Sequence, residues 1–344
     1  MPGPLVPVHL CGSVPLADAT AVFTQAAHRL GVAVGRIPDG ETGVRDNWVV
    51  WQLPMLQAHP DLETVPPPSP EYGPSMRVQA KPGIDPASVR FESLGYADAA
   101  RASWQIFSEL QDGGVIAPEV RFQVSLPTPI AVVAAFVGAH QAELEVAYED
   151  AILRELAEIV AAVPADRLAV QWDTAVEFAV FEGVFPSWFG ADYDDQRAEV
   201  ARRLVRLGNA VPAGVQLGYH LCYGDFGHEH FVEPADTSKL ADIANDLGAG
   251  LDRDLNWVHL PVPRGRDDAA YFEPLSALAL RPETTVYLGL VHATDGQPGA
   301  ERRIAAARAA ISEFGIATEC GMGRRPAEQI PGLLDLHAQL AAEL

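Results

Sequence analysis

The sequence predicts an α/β protein built as a single (β/α)8 barrel over residues 1–344, and three observations carry that reading. Short runs rich in Val, Ile and Leu alternate with longer Ala-, Leu-, Arg- and Glu-rich segments of helical period, the pattern of buried parallel strands joined by crossover helices. The alternation repeats about eight times. His, Cys, Asp and Glu collect just after the apolar runs, where a barrel of this kind carries its chemistry.

Taken in order, the strands are expected near 5–10, 32–37, 120–126, 167–172, 214–221, 255–260, 285–291 and 315–319. Helices are expected near 17–30, 97–111, 141–163, 194–209, 237–248, 267–278, 299–313 and 327–343. The stretch 60–92, with its PPPSPEYGPS run, is too rich in Pro for a helix, and it reads as a long irregular loop excursion in the second βα unit. No shift in composition marks a boundary, so one domain is expected. An open doubly wound sheet is the alternative architecture. It lacks support, because no GxGxxG follows the first strand and no GxxxxGK[ST] occurs.

Composition narrows the partners. The chain has 344 residues, 48% of them hydrophobic, enough to bury a large core. Asp and Glu number 46 against 24 Lys and Arg, a net charge of −22, so no basic footprint awaits a nucleic acid. No basic n-region precedes an apolar stretch at the start, and no apolar run reaches the roughly 18 residues that span a bilayer. A cytoplasmic enzyme acting on small molecules is therefore expected; its oligomeric state is not legible. Three cysteines, Cys11, Cys222 and Cys320, are an odd number spread along the chain, which suits reduced thiols or metal ligands better than a disulfide framework.

The polar residues at strand ends are specific. Strand one runs into His9, Cys11 and Ser13, strand two into Asp39 and Glu41, and strand four into Asp173. Strand five runs into His220 and Cys222, strand six into His259, strand seven into His292, and strand eight into Glu319 and Cys320. Residues two apart on a strand point to the same side, so His220 and Cys222 can converge on one ion, and Cys320 can bring a second thiolate across the barrel mouth. Two soft thiolates with an imidazole favour zinc, and three protein ligands leave one position for substrate. An ordered His-x-Cys arises by chance roughly 0.1 times in such a chain, so the pair alone also fits an inert buried thiol beside a core histidine.

The wider pattern resembles the catalytic barrel of cobalamin-independent methionine synthase, a TIM barrel of the superfamily that also contains uroporphyrinogen decarboxylase. GYHLCYGDF resembles that family's HxCY zinc segment, and TECGMGRRP resembles its DCGLKTR segment. LCGSVP resembles its IGSFP, and DGETGVRDNWVVW its HGEFERNDMVEYF. LPTPIAVV, VQWDTAVEF and LGLVHATDG resemble three further strand ends, so the likeness runs in order over essentially the whole chain. It implies that His220, Cys222 and Cys320 bind Zn2+. It further implies that Ser13 contacts an amino-acid carboxylate, that Glu41 and Asp173 contact its ammonium group, and that His292 transfers a proton.

Two departures from the family stand out. Its carboxylate zinc ligand falls near Pro261 in HLPVPRGRD, so His259 is the expected substitute, with Asp225 or Glu229 as alternatives from the loop after strand five. A tryptophan associated with folate is replaced by Ala near position 135, which argues against folate as the methyl donor. Cys11 reads as a small buried hydrophobe, and GDFGHEHF, with His228, Glu229 and His230, as an acidic loop or a substrate-facing lid.

The expected function is a zinc-dependent methyl- or alkyltransferase that activates a homocysteine-like thiol toward an alkyl donor. Alternatives are zinc-dependent C–S bond chemistry on another small thiol, a metal-free barrel resembling uroporphyrinogen decarboxylase, and a non-catalytic binding barrel.

Overall fold

The computed structural model of the protein describes residues 6–66, 76–224 and 229–344. Asp225 and His228 lie outside the described residues. The strands are β1 (Arg36–Pro38), the pair β2 (Leu62–Val65) and β3 (Arg77–Ala80), then β4 (Arg121–Pro127), β5 (Leu168–Thr174) and β6 (Gln216–Leu221). They are followed by β7 (Trp257–Pro261), β8 (Thr285–Val291) and β9 (Gly315–Thr318). Seven of them form one curled parallel sheet in the order β1-β4-β5-β6-β7-β8-β9.

The expected first strand is reduced to isolated bridges at Val8. Val8 makes parallel bridges to both edges of the sheet, to Val34 beside β1 and to Ile316 in β9. Its amide donates to the Ala33 carbonyl at 2.8 Å, and His9 donates to Ile316 at 3.0 Å. Pro7 has no N–H to extend the ladder, although its carbonyl accepts from Ile316 at 2.9 Å. The second strand also starts later than expected, because Gly31 turns in the left-handed region (φ 52°) and 31–33 form a 3-10 turn.

The excursion at 60–92 is not wholly irregular: β2 and β3 pair antiparallel inside it, with Leu62 opposite Ala80 and Val65 opposite Arg77. Alternating polar and apolar residues in RVQA fit such a half-exposed strand.

The helices are α1 (Ala19–Leu30), α2 (Gln52–Ala58), α3 (Tyr96–Asp112), α4 (Pro129–Phe136), α5 (Gln141–Ala162) and α6 (Val176–Phe181). After them come α7 (Tyr193–Asn209), α8 (Ser238–Gly250), α9 (Ala269–Phe272), α10 (Gly296–Ala307) and α11 (Ile330–Glu343). Two of the long helices, α1 and α7, start where a side chain satisfies a free amide: Asp18 accepts from Ala21, and Asp192 from Asp195. The helix expected over 267–278 is broken into α9 and a 3-10 turn over Glu273–Ala277, with Pro274 at the break.

α2, α4 and α6 are absent from the sequence expectation. α4 is apolar all round and α6 carries one polar residue, the buried Glu177, so no amphipathic period announces them, and both are buried, packed on one another beside the strand ends. One hydrophobic cluster runs from Val8 to Ala341 and joins the sheet to the surrounding helices. Gly218 shows how tightly a smaller cluster of Ala169, Trp257 and Tyr287 is packed, since a Cβ there would run into the Trp257 ring.

Candidate metal centre

Strand register sets Asp173, His220 and His259 side by side on neighbouring strands. Asp173 on β5 pairs with His220 on β6, which pairs with His259 on β7, so all three sit at one level of the sheet. Cys222 follows β6 by one residue, and Cys320 follows β9 by two. The Cys222 and Cys320 sulfurs are 3.5 Å apart, and the Cys320 sulfur is 3.5 Å from His220 Nε2. Donors at about 2.0–2.3 Å from a tetrahedral ion are separated by about 3.4–3.8 Å, so these spacings and this donor set fit one zinc. Among the described residues no carboxylate joins the triad.

The triad's electrostatics favour thiolate. The hydrogen bond to Cys320, assisted by His220, holds the Cys222 thiol well below its usual range, although burial pushes it up. Thr318 ties the elements together. Its hydroxyl donates to the Cys320 carbonyl at 2.6 Å, and its own carbonyl lies 2.9 Å from His259 Nε2. Thr174 donates to the His220 carbonyl at 3.1 Å.

His259, the expected fourth ligand, does not join the group that His220 forms with the two thiols. Its Nδ1 is 2.7 Å from His220 Nδ1, on the side away from Cys320, and it groups with Cys11 and His220 rather than with the two thiols. Burial, with His220 and His9 nearby, holds its pKa well below the ordinary histidine value.

A cavity of about 290 Å³ opens onto the triad, and Ser13, Glu41 and Asp173 share its wall with His220, Cys222 and Cys320. Burial pushes Asp173 up to about 7, against the opposing influence of His220 and hydrogen bonds from Gln171 and Trp48. Burial, reinforced by Asp173 and opposed by Arg45, pushes Glu41 up to about 8. Two acids that resist ionisation, Asp173 buried and Glu41 half-buried, are suited to a cationic group that would restore their charge. Trp48, Phe136, Val176 and Phe185 make the rest of the wall largely apolar.

Backbone strain concentrates here as well. The described residues include three non-glycine positions in the left-handed region, Glu41 (φ 51°), Trp48 (φ 44°) and His140 (φ 63°), and the first two line the cavity. Ser13 accepts from the Gly323 amide at 3.3 Å, and a Cβ on Gly321 would lie 2.3 Å from its Oγ, so glycine is required for that approach.

His292 lies in a neighbouring cleft of about 740 Å³, not on the cavity wall. Its Nδ1 is 3.1 Å from Glu319, and its Nε2 is 2.9 Å from the Val262 carbonyl. Arg325 reaches Glu319 at 3.4 Å. Glu229 and His230 line this cleft too.

Three contributors to the cavity do not stand out in the sequence. Gln171 donates to Asp173 at 2.8 Å and accepts at 2.8 Å from His9; it lies two residues before Asp173 on β5, so strand period alone could flag it. Trp48 depends on a left-handed turn, and Phe136 on an unannounced helix.

No family model matches the chain, and no curated protein matches it. Solved structures do. A putative vitamin-B12 independent methionine synthase from Listeria monocytogenes superposes with a TM-score of 0.61 at 13% identity, covering 99% of each chain. A B12-independent methionine synthase from Shewanella sp. W3-18-1, in complex with selenomethionine, gives 0.64 at 14% identity, covering 98% of this chain and 97% of that one. A methyltransferase from Methanosarcina mazei gives 0.58 at 13% identity, with 98% and 95% covered. At these identities the likeness shows the fold alone, a mixed α/β architecture that these structures share.

Proposed function

We propose that this protein is a zinc-dependent methyl- or alkyltransferase whose acceptor is the thiol of a homocysteine-like amino acid. The observation that carries the reading is the convergence of His220 Nε2 and the Cys222 and Cys320 sulfurs, at tetrahedral spacings, in the wall of a cavity that also holds Glu41 and Asp173. Closure of the sheet into an eight-stave barrel, with the Val8 stretch as the eighth, belongs to the same proposal. So does the reading of the chain as one barrel domain, and the solved structures that superpose on it are described as methionine synthases and a methyltransferase.

His220, Cys222 and Cys320 would hold the ion. Bound there, zinc would deprotonate an incoming thiol and keep it as a nucleophile at neutral pH. Glu41 and Asp173 bind the ammonium group and lose their protons as they do so, and Ser13 orients the carboxylate. The apolar wall of Trp48, Phe136, Val176 and Phe185 excludes water, which strengthens these contacts and aligns the alkyl carbon of the donor with the sulfur. His292 keeps a proton-transfer role in restricted form. Its Nε2 is committed to Val262, so only the side facing Glu319 can exchange a proton.

Elemental analysis tests the reading. One zinc per wild-type chain, lost in Cys222→Ser, is the expected result; metal-free protein after growth and purification with zinc would overturn it and favour the metal-free or binding-only alternatives.

A further inference from the structure

His220 faces the two thiols through Nε2, and its other nitrogen is held from behind by a second histidine. The pairing of β6 with β7 sets His220 opposite His259, and their Nδ1 atoms are 2.7 Å apart. A backbone carbonyl only accepts, so the 2.9 Å contact with Thr318 places a hydrogen on His259 Nε2. A neutral ring then carries a lone pair on Nδ1, and His220 Nδ1 must donate to it. The hydrogen of His220 is thereby held away from the thiols, and its Nε2 lone pair is directed to the side where Cys320 lies 3.5 Å away.

We propose that His259 is a positioning residue that fixes the metal-binding tautomer of His220, with the Thr318 carbonyl as its anchor. This role rests on the zinc reading for its purpose, but the tautomer can be measured without metal. The arrangement differs from the carboxylate or carbonyl that usually backs a ligating histidine. A neutral acceptor suits this centre. Two thiolates already balance a divalent cation and a substrate thiolate adds one negative charge, so a buried carboxylate behind His220 would add another with little solvent to screen it. Because the Thr318 hydroxyl also holds the Cys320 carbonyl, one residue of β9 registers both the histidine and the thiolate arms of the triad.

Long-range ¹⁵N–¹H correlation spectra of histidine-labelled, metal-free protein read the tautomer directly. Wild type should show His220 with its hydrogen on Nδ1, and His259→Phe should shift that hydrogen wholly or partly to Nε2. Zinc affinity by chelator competition should fall about 10–100-fold in His259→Phe. His259→Gln, which keeps a donor and an acceptor, should recover part of both signals and serves as the probe if the Phe variant does not fold. A wild-type His220 carrying its hydrogen on Nε2, or unchanged zinc affinity in His259→Phe, would overturn the proposal. A second zinc per chain that is lost in Cys11→Ser would do the same, by showing a metal between Cys11, His220 and His259 in place of the hydrogen bond. A wild-type protein that takes up no zinc would instead overturn the function proposed above, while the tautomer measurement still decides the role of His259.

Discussion

The cavity holding Glu41 and Asp173 and the cleft holding His292 and Glu319 are neighbours that share the turn after β9, yet they treat charge in opposite ways. Cys320, Gly321 and Arg324 face the cavity, while Glu319 and Arg325 face the cleft. In the cleft, Glu319 contacts His292 and Arg325, and these basic partners outweigh burial to hold its carboxyl below the usual range. Burial dominates in the cavity and lifts both carboxyls toward neutrality. Internally satisfied charges stabilise a fold, whereas acids kept short of ionisation are suited to receive something from outside. The contrast favours substrate binding in the cavity and, in the cleft, a self-contained charge network that holds His292 for the proton-transfer role proposed above.

The largest effect expected from breaking this contrast is on the metal. Cys222→Ser or Cys320→Ser should weaken zinc binding by at least about 100-fold, beyond the range expected for an outer residue such as His259. His292→Asn should leave zinc affinity within about threefold of wild type and lower only turnover. Equal losses of metal in the two regions, read by chelator competition, would erase the distinction.

A smaller effect separates the carboxylates. Losing a charge-assisted hydrogen bond costs about 1.5–3 kcal/mol, so Asp173→Asn should weaken a homocysteine-like amino thiol about 10–150-fold while sparing a thiol of similar size without the amine. Calorimetry with the two ligands checks this. Equal weakening of both would mean that Asp173 does not read the ammonium group.

The smallest effect is on stability, and the two regions should differ in sign. Folding raises Asp173 to about 7 and Glu41 to about 8, from an ordinary carboxyl value of about 4. Their contribution is therefore complete below about pH 4 and is lost as pH rises through 7–8. Glu319, lowered in the fold, contributes in the opposite sense: its stabilisation is present at neutral pH and lost in acid. The melting temperature of metal-free Asp173→Asn should fall less between pH 5 and 8 than that of wild type, by on the order of a few °C. Parallel pH profiles for the two proteins would contradict the raised carboxyl.

Periodic signals decide which parts of the fold and site are legible in the sequence. Strand period two pairs His220 with Cys222 from the residue order alone, and the long amphipathic helices α3, α5 and α7 appear within a residue or two of expectation. α4 and α6 have no solvent-facing polar side, Glu177 of α6 being buried, so their sequences look like apolar strand ends, and the cavity wall they build carries no signal. The hairpin β2–β3 hides in a Pro-rich stretch for the related reason that four-residue strands leave little pattern. His259 illustrates a different limit. The sequence expects a histidine at a strand end, whereas His259 sits in the middle of β7, and whether it meets the ion or backs another ligand depends on register with β6, which only tertiary geometry specifies.

The central claim is that a substrate thiol joins the two protein sulfurs at one zinc. X-ray absorption at the zinc edge, on metal-loaded protein with and without a homocysteine-like thiol, measures it most directly. Two sulfur neighbours at about 2.3 Å are expected in the protein alone and three once the thiol is added, with one imidazole nitrogen retained throughout. A sulfur count that stays at two on saturation with the thiol would contradict it.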